Sequence, residues 1–173
     1  MFEIIFTTII PLALLLGVTF FIAVTLHELG HAIPALLMTD HDVTIYIGSI
    51  GDPYKSFSLS RGRLTIFIKY NPLLWFKGCC FTYDYDLTLN ARILLTAGGP
   101  IASILGTLGS WYLLSATEQI GFFRIISGSV FVVSLLITLS TTLPIARVRY
   151  TPAGQAVYND SIQILRLIRM KYR

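Results

Sequence analysis

The hydrophobic positions of this chain fall into three long runs, and between the first and second lies a stretch of quite different texture. From Ile4 to Leu26 no residue is charged, and beyond His31 the apolar run resumes through Ala35, Leu36, Leu37 and Met38. A hydrocarbon crossing needs about 20 helical residues. The pattern therefore predicts a first membrane span over about 4–38, long enough to tilt or to continue below the interface, with Pro11 and Pro34 as bends. A second span is expected over 93–117, where 25 residues carry no charge, and a third over 125–146. Within the second, Gly98, Gly99 and Pro100 predict an interruption of the helix, of a kind tolerated where protein or a water-filled cavity satisfies the freed backbone groups. Gly99, Ala102, Ser103, Gly106 and Ser110 recur at four-residue spacing, which lets another helix come close and presses this span on the first.

The stretch over 42–83 alternates instead of running. Val43-Thr44-Ile45-Tyr46-Ile47 is β-branched and aromatic, and Gly48, Gly51, Asp52 and Pro53 punctuate the residues after it. Ser56 to Leu59, a turn at Ser60-Arg61-Gly62, and Arg63 to Tyr70 predict a hairpin, with a further strand between Lys77 and Tyr83. Such an insert cannot lie bare in lipid, so it belongs at the interface, as a lid over the helix ends or as a sheet edge to which an unwound substrate segment adds as a strand. After the third span, Thr151-Pro152 reads as the N-cap and first turn of an amphipathic interfacial helix over about 152–170. The fold class expected is a mainly α membrane protein, a single unit with about three spans, a strand-rich insert and a C-terminal amphipathic helix.

Composition agrees. The chain has 173 residues, of which 54% are hydrophobic and 13% charged, and its mean hydropathy is +0.72. That excludes an ordinary soluble domain. The first run has no basic lead and no small-residue cleavage site, so it reads as a retained span, not a signal peptide. Of 13 Lys and Arg, six lie between Lys55 and Arg92 and six between Arg147 and Arg173. The positive-inside rule then puts both basic blocks in the cytosol and the N-terminus outside. The basic tail from Arg166 faces anionic lipid of the bilayer rather than nucleic acid. Cys79 and Cys80 are adjacent, fit no zinc or redox spacing, and read as reduced, small buried hydrophobes.

The chemistry concentrates in Leu26-His27-Glu28-Leu29-Gly30-His31-Ala32. On a helix His27 and His31 are one turn apart on the same face, so two imidazoles can share one metal ion. Glu28 lies on the neighbouring edge. This is the H-E-x-x-H pattern, in which the two His hold Zn²⁺ and the Glu, not itself a ligand, takes a proton from the attacking water and passes it to the leaving amine. A chance copy of the pattern belongs on a solvated helix face; this one ends a membrane-length apolar run, where ionisable groups are costly and point to function.

Three landmarks occur in one order: H-E-L-G-H at the end of the first span, A-G-G-P-I-A-S opening the second, and a Pro-containing segment plus Gly after the third. In this order the chain resembles the site-2 protease family of intramembrane metalloproteases, particularly small bacterial members with a strand-rich insert after the first span, over nearly its whole length from about Val18 to Arg166. The resemblance implies a bacterial cell membrane, zinc on His27 and His31, catalysis by Glu28, and a site for substrate at Gly98, Gly99 and Pro100. The family's third ligand is an Asp in an Asp-Gly pair after an Asn-x-x-Pro segment. Here the Pro is Pro144 and the Gly is Gly154, but Thr141 stands at the Asn position and Ala153 at the Asp position. Asp160 is the nearest downstream carboxylate, but two helical turns, about 10 Å, separate it from position 153. Asp40, His41, Asp42 and Asp52 are the other groups able to reach in from the insert.

The function expected is zinc-dependent hydrolysis of a peptide bond in a membrane-embedded or membrane-associated polypeptide near the cytosolic face. The alternative is a degenerate relative that binds membrane segments without cutting them, which Ala153 and Thr141 favour. Metal transport fits poorly, because one polar cluster offers no relay of ionisable groups.

Overall fold

The computed structural model describes residues 5–84, 86–116, 121–145 and 148–172. A π turn over Ile5–Ile9 leads into helix α1 (Ile10–Met38), and four strands come after it: β1 (Val43–Ile47), β2 (Ser56–Arg61), β3 (Leu64–Lys69) and β4 (Gly78–Phe81). Helices α2 (Leu89–Ala116) and α3 (Phe122–Thr142) come next, then a hairpin of β5 (Val148–Tyr150) and β6 (Ala156–Tyr158), and a last helix α4 (Asp160–Lys171). Three helical stretches, Phe6–Met38, Leu89–Ala116 and Phe123–Thr142, are long and apolar enough to cross a membrane, with mean hydropathies of 2.6, 1.4 and 1.9. The predicted span ends at Ile4, Thr117 and Ala146 lie outside the described residues.

The long helices pack antiparallel. His27 meets Ser103 and His31 meets Gly99, so positions rise along α1 as they fall along α2. Thr107 bonds Thr138 and Trp111 packs tilted against Phe131, which sets α3 antiparallel to α2 in the same way. Close approach of α1 and α2 depends on glycine: a Cβ on Gly30 would stand 2.4 Å from the Gly98 carbonyl oxygen, and one on Gly98 only 2.0 Å from that of Gly30. The expected interruption at Gly98-Gly99-Pro100 does not occur. Helix α2 runs unbroken through Pro100, and the missing side chains serve helix contact instead of backbone exposure.

The insert is the sheet that alternation predicts. Its order is β2-β3-β1-β4, with β1 parallel to β3 and antiparallel to β4, so β4 is an edge. One face of β1, Val43, Ile45 and Ile47, is fully buried against Val24, Ala32 and Ala35 of α1. Each such side chain contributes about 1.5–3 kcal/mol on leaving water. Arg63, in the two-residue β2–β3 turn after Gly62, donates to the Leu36 and Thr39 carbonyls and so closes the C-terminal end of α1. These contacts fix the sheet beside the last third of the helix.

The last segment departs from expectation. Residues from Thr151 form a hairpin turn, with Gly154 at φ 78° and the Thr151 amide bonded to the Gln155 carbonyl, not the start of a helix. The N-cap is Asn159, whose side chain accepts from the Ser161 amide, and α4 starts at Asp160. One face packs inward, with Leu167 buried where α4 meets α2, while Leu165, Ile168 and Met170 stay exposed.

Candidate metal centre

Helical spacing builds the floor of the site. Along α1, Ala23, His27, His31 and Ala35 form one buried row and Val24, Glu28 and Ala32 the next, so alanines and a valine surround the three polar groups. Each imidazole is oriented by its second nitrogen. His31 Nδ1 lies 3.0 Å from the Leu95 carbonyl and 3.3 Å from the Gly99 amide, so this side of the ring is held by α2 and the Nε2 side is turned to the cavity. His27 Nδ1 lies 2.8 Å from the Ser103 hydroxyl. Both partners belong to α2, the helix that the glycines let in; a Cβ on Gly99 would stand 2.1 Å from His31 Nε2.

The third wall comes from α4. Asp160 Oδ2 is 3.1 Å from His27 Nε2, Asp160 Oδ1 is 3.6 Å from His31 Nε2, and the two Nε2 atoms are 3.2 Å apart. Ligand atoms about 2.0–2.2 Å from a tetrahedral Zn²⁺ stand about 3.3 Å from one another. These side chains fit such an ion: two neutral-capable imidazoles, one carboxylate, all converging and all buried or nearly so. Burial works to raise the Asp160 carboxyl, but the His27 and His31 imidazoles beside it outweigh this and hold the group well below the usual carboxylate range.

Glu28 is 5% exposed and stands beside this trio without joining it. Strand β4 passes directly over it. A Cβ on Gly78 would lie 2.4 Å from Glu28 Oε1, so glycine there leaves the carboxylate its room. A cavity of about 380 Å³ opens between these parts, lined by His27, Glu28, His31 and Asp160, by residues 78–82 of and after β4, and by Arg149 and Val157 of the hairpin.

The sequence-derived assignments sort clearly against this geometry. His27, Glu28 and His31 come together as expected. Ala153 and Gly154 do not approach them; both are exposed in the β5–β6 turn. The carboxylate at the His pair is Asp160, because the hairpin uses up the residues that a helix from 152 would have carried past the site. The insert carboxylates are elsewhere: Asp52 pairs with Lys69 at 2.7 Å, His41 with Asp86 at 3.0 Å, and Asp40 and Asp42 are exposed. Gly98, Gly99 and Pro100 do not line the cavity; they pack α2 on α1. Thr141 does line it. Cys79 and Cys80 are free, and burial pushes both thiols up, but they are also cavity wall, a role that adjacency alone did not reveal.

No protein-family model matches this chain, and no curated protein and no solved structure matches it.

Proposed function

We propose that this chain is an intramembrane zinc endopeptidase of the site-2 protease type, cutting a membrane-embedded or membrane-associated polypeptide near the cytosolic face. The observation that carries the proposal is the arrival of Asp160 at His27 and His31, with Glu28 beside them in a cavity. Three protein ligands with an open position are the catalytic zinc arrangement, whereas structural zinc sites are closed by four. The degenerate alternative leaned on Ala153, and a carboxylate supplied from another position removes that support.

His27, His31 and Asp160 would hold the ion. When bound, zinc supplies Lewis acidity that polarises a peptide carbonyl and acidifies water. Glu28 then takes the proton of the attacking water and returns it to the leaving amine, a transfer suited to a carboxylate held in a half-enclosed cavity. The polypeptide needs an extended stretch here, since a helix has its carbonyls bonded internally. Strand β4 offers a free edge on the cavity wall, so an unwound substrate segment can add to it as a strand, bringing a peptide bond past Glu28.

Membrane insertion is read from the three apolar helices and their exposed outward rows, such as Leu14, Leu105 and Leu113. The sheet, hairpin and α4 all adjoin the same ends of the helices, and with them go both basic blocks, which by the positive-inside rule favours a cytosolic side for the site and the C-terminal helix. The test is a panel of single-span polypeptides co-reconstituted in vesicles. Cleavage by wild type that stops with a chelator and with Glu28→Gln is expected; a zinc-loaded protein that cuts none of them returns the reading to a binding protein.

A further inference from the structure

Helix α3 ends at Thr142, and the residue that would donate to the Ser140 carbonyl in a continued helix is Pro144, which has no N–H. That carbonyl is not left open. The Asn159 side-chain amide donates to it from the far side of the β5–β6 hairpin, and the same Nδ2 lies 3.3 Å from the Leu143 carbonyl. The other end of the carboxamide faces forward: Oδ1 accepts from the Ser161 amide at 3.2 Å, while the Ser161 hydroxyl reaches the Leu143 carbonyl at 3.0 Å. One side chain thus bonds the last turn of α3 and the first turn of α4 together. The residue between Asn159 and Ser161 is Asp160.

We infer that Asn159 is a positioning residue, whose carboxamide clamps α4 to the carbonyl that Pro144 leaves open and so holds Asp160 at His27 and His31. The inference rests on the reading of these three residues as metal ligands. Its two halves are chemically separable. The cap needs only an acceptor, which Ser or Asp also provides. The clamp needs a donor on a second atom of the same side chain: Asp has no donor, and a Ser hydroxyl offers one atom where the carboxamide has two facing opposite ways. A hydroxyl at 159 therefore leaves the helix start intact and loosens the joint, which keeps the Ser161–Leu143 bond. A ligand carried on a loosened joint reaches the same ion with a wider spread of positions, and loss of such outer support weakens metal binding about 10–100-fold.

The experiment titrates Zn²⁺ into the full chain in detergent against a competing chelator, for wild type, Asn159→Ser, Asn159→Asp and, as reference, Asp160→Ala. Substituting Co²⁺ reports ligand geometry by its visible absorption. Asn159→Ser is expected to lose about 10–100-fold in zinc affinity, to shift its Co²⁺ spectrum toward that of Asp160→Ala, and to keep the metal-free melting temperature within a few degrees of wild type. Wild-type zinc affinity in Asn159→Ser beside a weakened Asp160→Ala overturns the inference and leaves the metal reading standing. Failure of both Asn159 variants to fold makes the residue a folding element and also overturns it. A wild-type chain that takes up no zinc removes both readings together.

Discussion

Asp160→Ala is the substitution on which most turns. The carboxylate stands 3.1 Å from His27 Nε2 and 3.6 Å from His31 Nε2, and no second carboxylate of the described residues joins the cluster. Zinc bound by four protein ligands is worth about 10–16 kcal/mol at neutral pH, so one ligand carries about 2.5–4 kcal/mol. At about 1.4 kcal/mol per decade, removing Asp160 should weaken zinc about 10²–10³-fold. Asp160→Asn, which keeps the shape and loses the charge, should fall between wild type and Ala. Chelator competition gives the affinities, and stoichiometry should stay near one ion per chain in wild type. Ala153→Asp is the matched control: exposed in the hairpin turn, it should change affinity by less than about twofold. If instead Asp160→Ala binds zinc as wild type does and Ala153→Asp tightens it, the hairpin is misplaced and the reasoning from Asp160 fails.

Other outcomes rest on the same geometry. Glu28→Gln should keep zinc and lose about 10²–10⁴ in kcat, since only the proton carrier is gone. Gly78→Ala should do much the same through a different cause, because its Cβ meets Glu28 Oε1 at 2.4 Å; unchanged turnover would show that Glu28 works from another rotamer. Gly99→Ala should cost about 1–3 kcal/mol of stability by overpacking and weaken zinc too, as its Cβ would stand 2.1 Å from His31 Nε2. For Asp52, the Lys69 ammonium, then the Tyr54 amide, hold its carboxyl below the ordinary value. A depressed folded pKa stabilises above the unfolded value near 4 and is lost as pH falls through the folded one. The stability gap between wild type and Asp52→Asn, about 0.2–1 kcal/mol at pH 7 for a solvent-screened pair, should therefore close below about pH 4 in denaturant titrations.

The parts of the fold governed by local periodicity could be read from the chain. Runs without charge gave the three long helices, and alternation from Val43 to Ile47 gave a strand whose alternate side chains are indeed buried. The first helix motif was equally local, since His27, Glu28 and His31 are fixed relative to one another by helix geometry. What failed was competition between two local signals. Thr151-Pro152 is a good helix start, but Asn159 followed by Asp160 is a better one, and Pro152 with Gly154 also suits a turn. Strand pairing of β5 with β6 decides between them, and no pattern within either three-residue strand announces it. At Gly98-Gly99-Pro100 the error was different: the same small residues permit either a broken helix or a close one, and only the presence of Gly30 opposite selects the second.

The arrangement also explains how a Glu and two His can sit at the end of so apolar a helix. Alone, each would be a buried polar group without compensation. The chain supplies the compensation from three directions: Ser103 and the Leu95 carbonyl from α2, Asp160 from α4, and the cavity beneath the β4 edge for Glu28. Ser103 and Leu95 are separated from the motif by more than 60 positions and Asp160 by more than 120. The motif is therefore legible early but becomes a site only when the chain's last helix docks. For the proposed metal site, that dependence puts its assembly at the α3–α4 joint, where the Ser140 carbonyl that Pro144 cannot reach is bonded by Asn159, as much as in the motif helix itself.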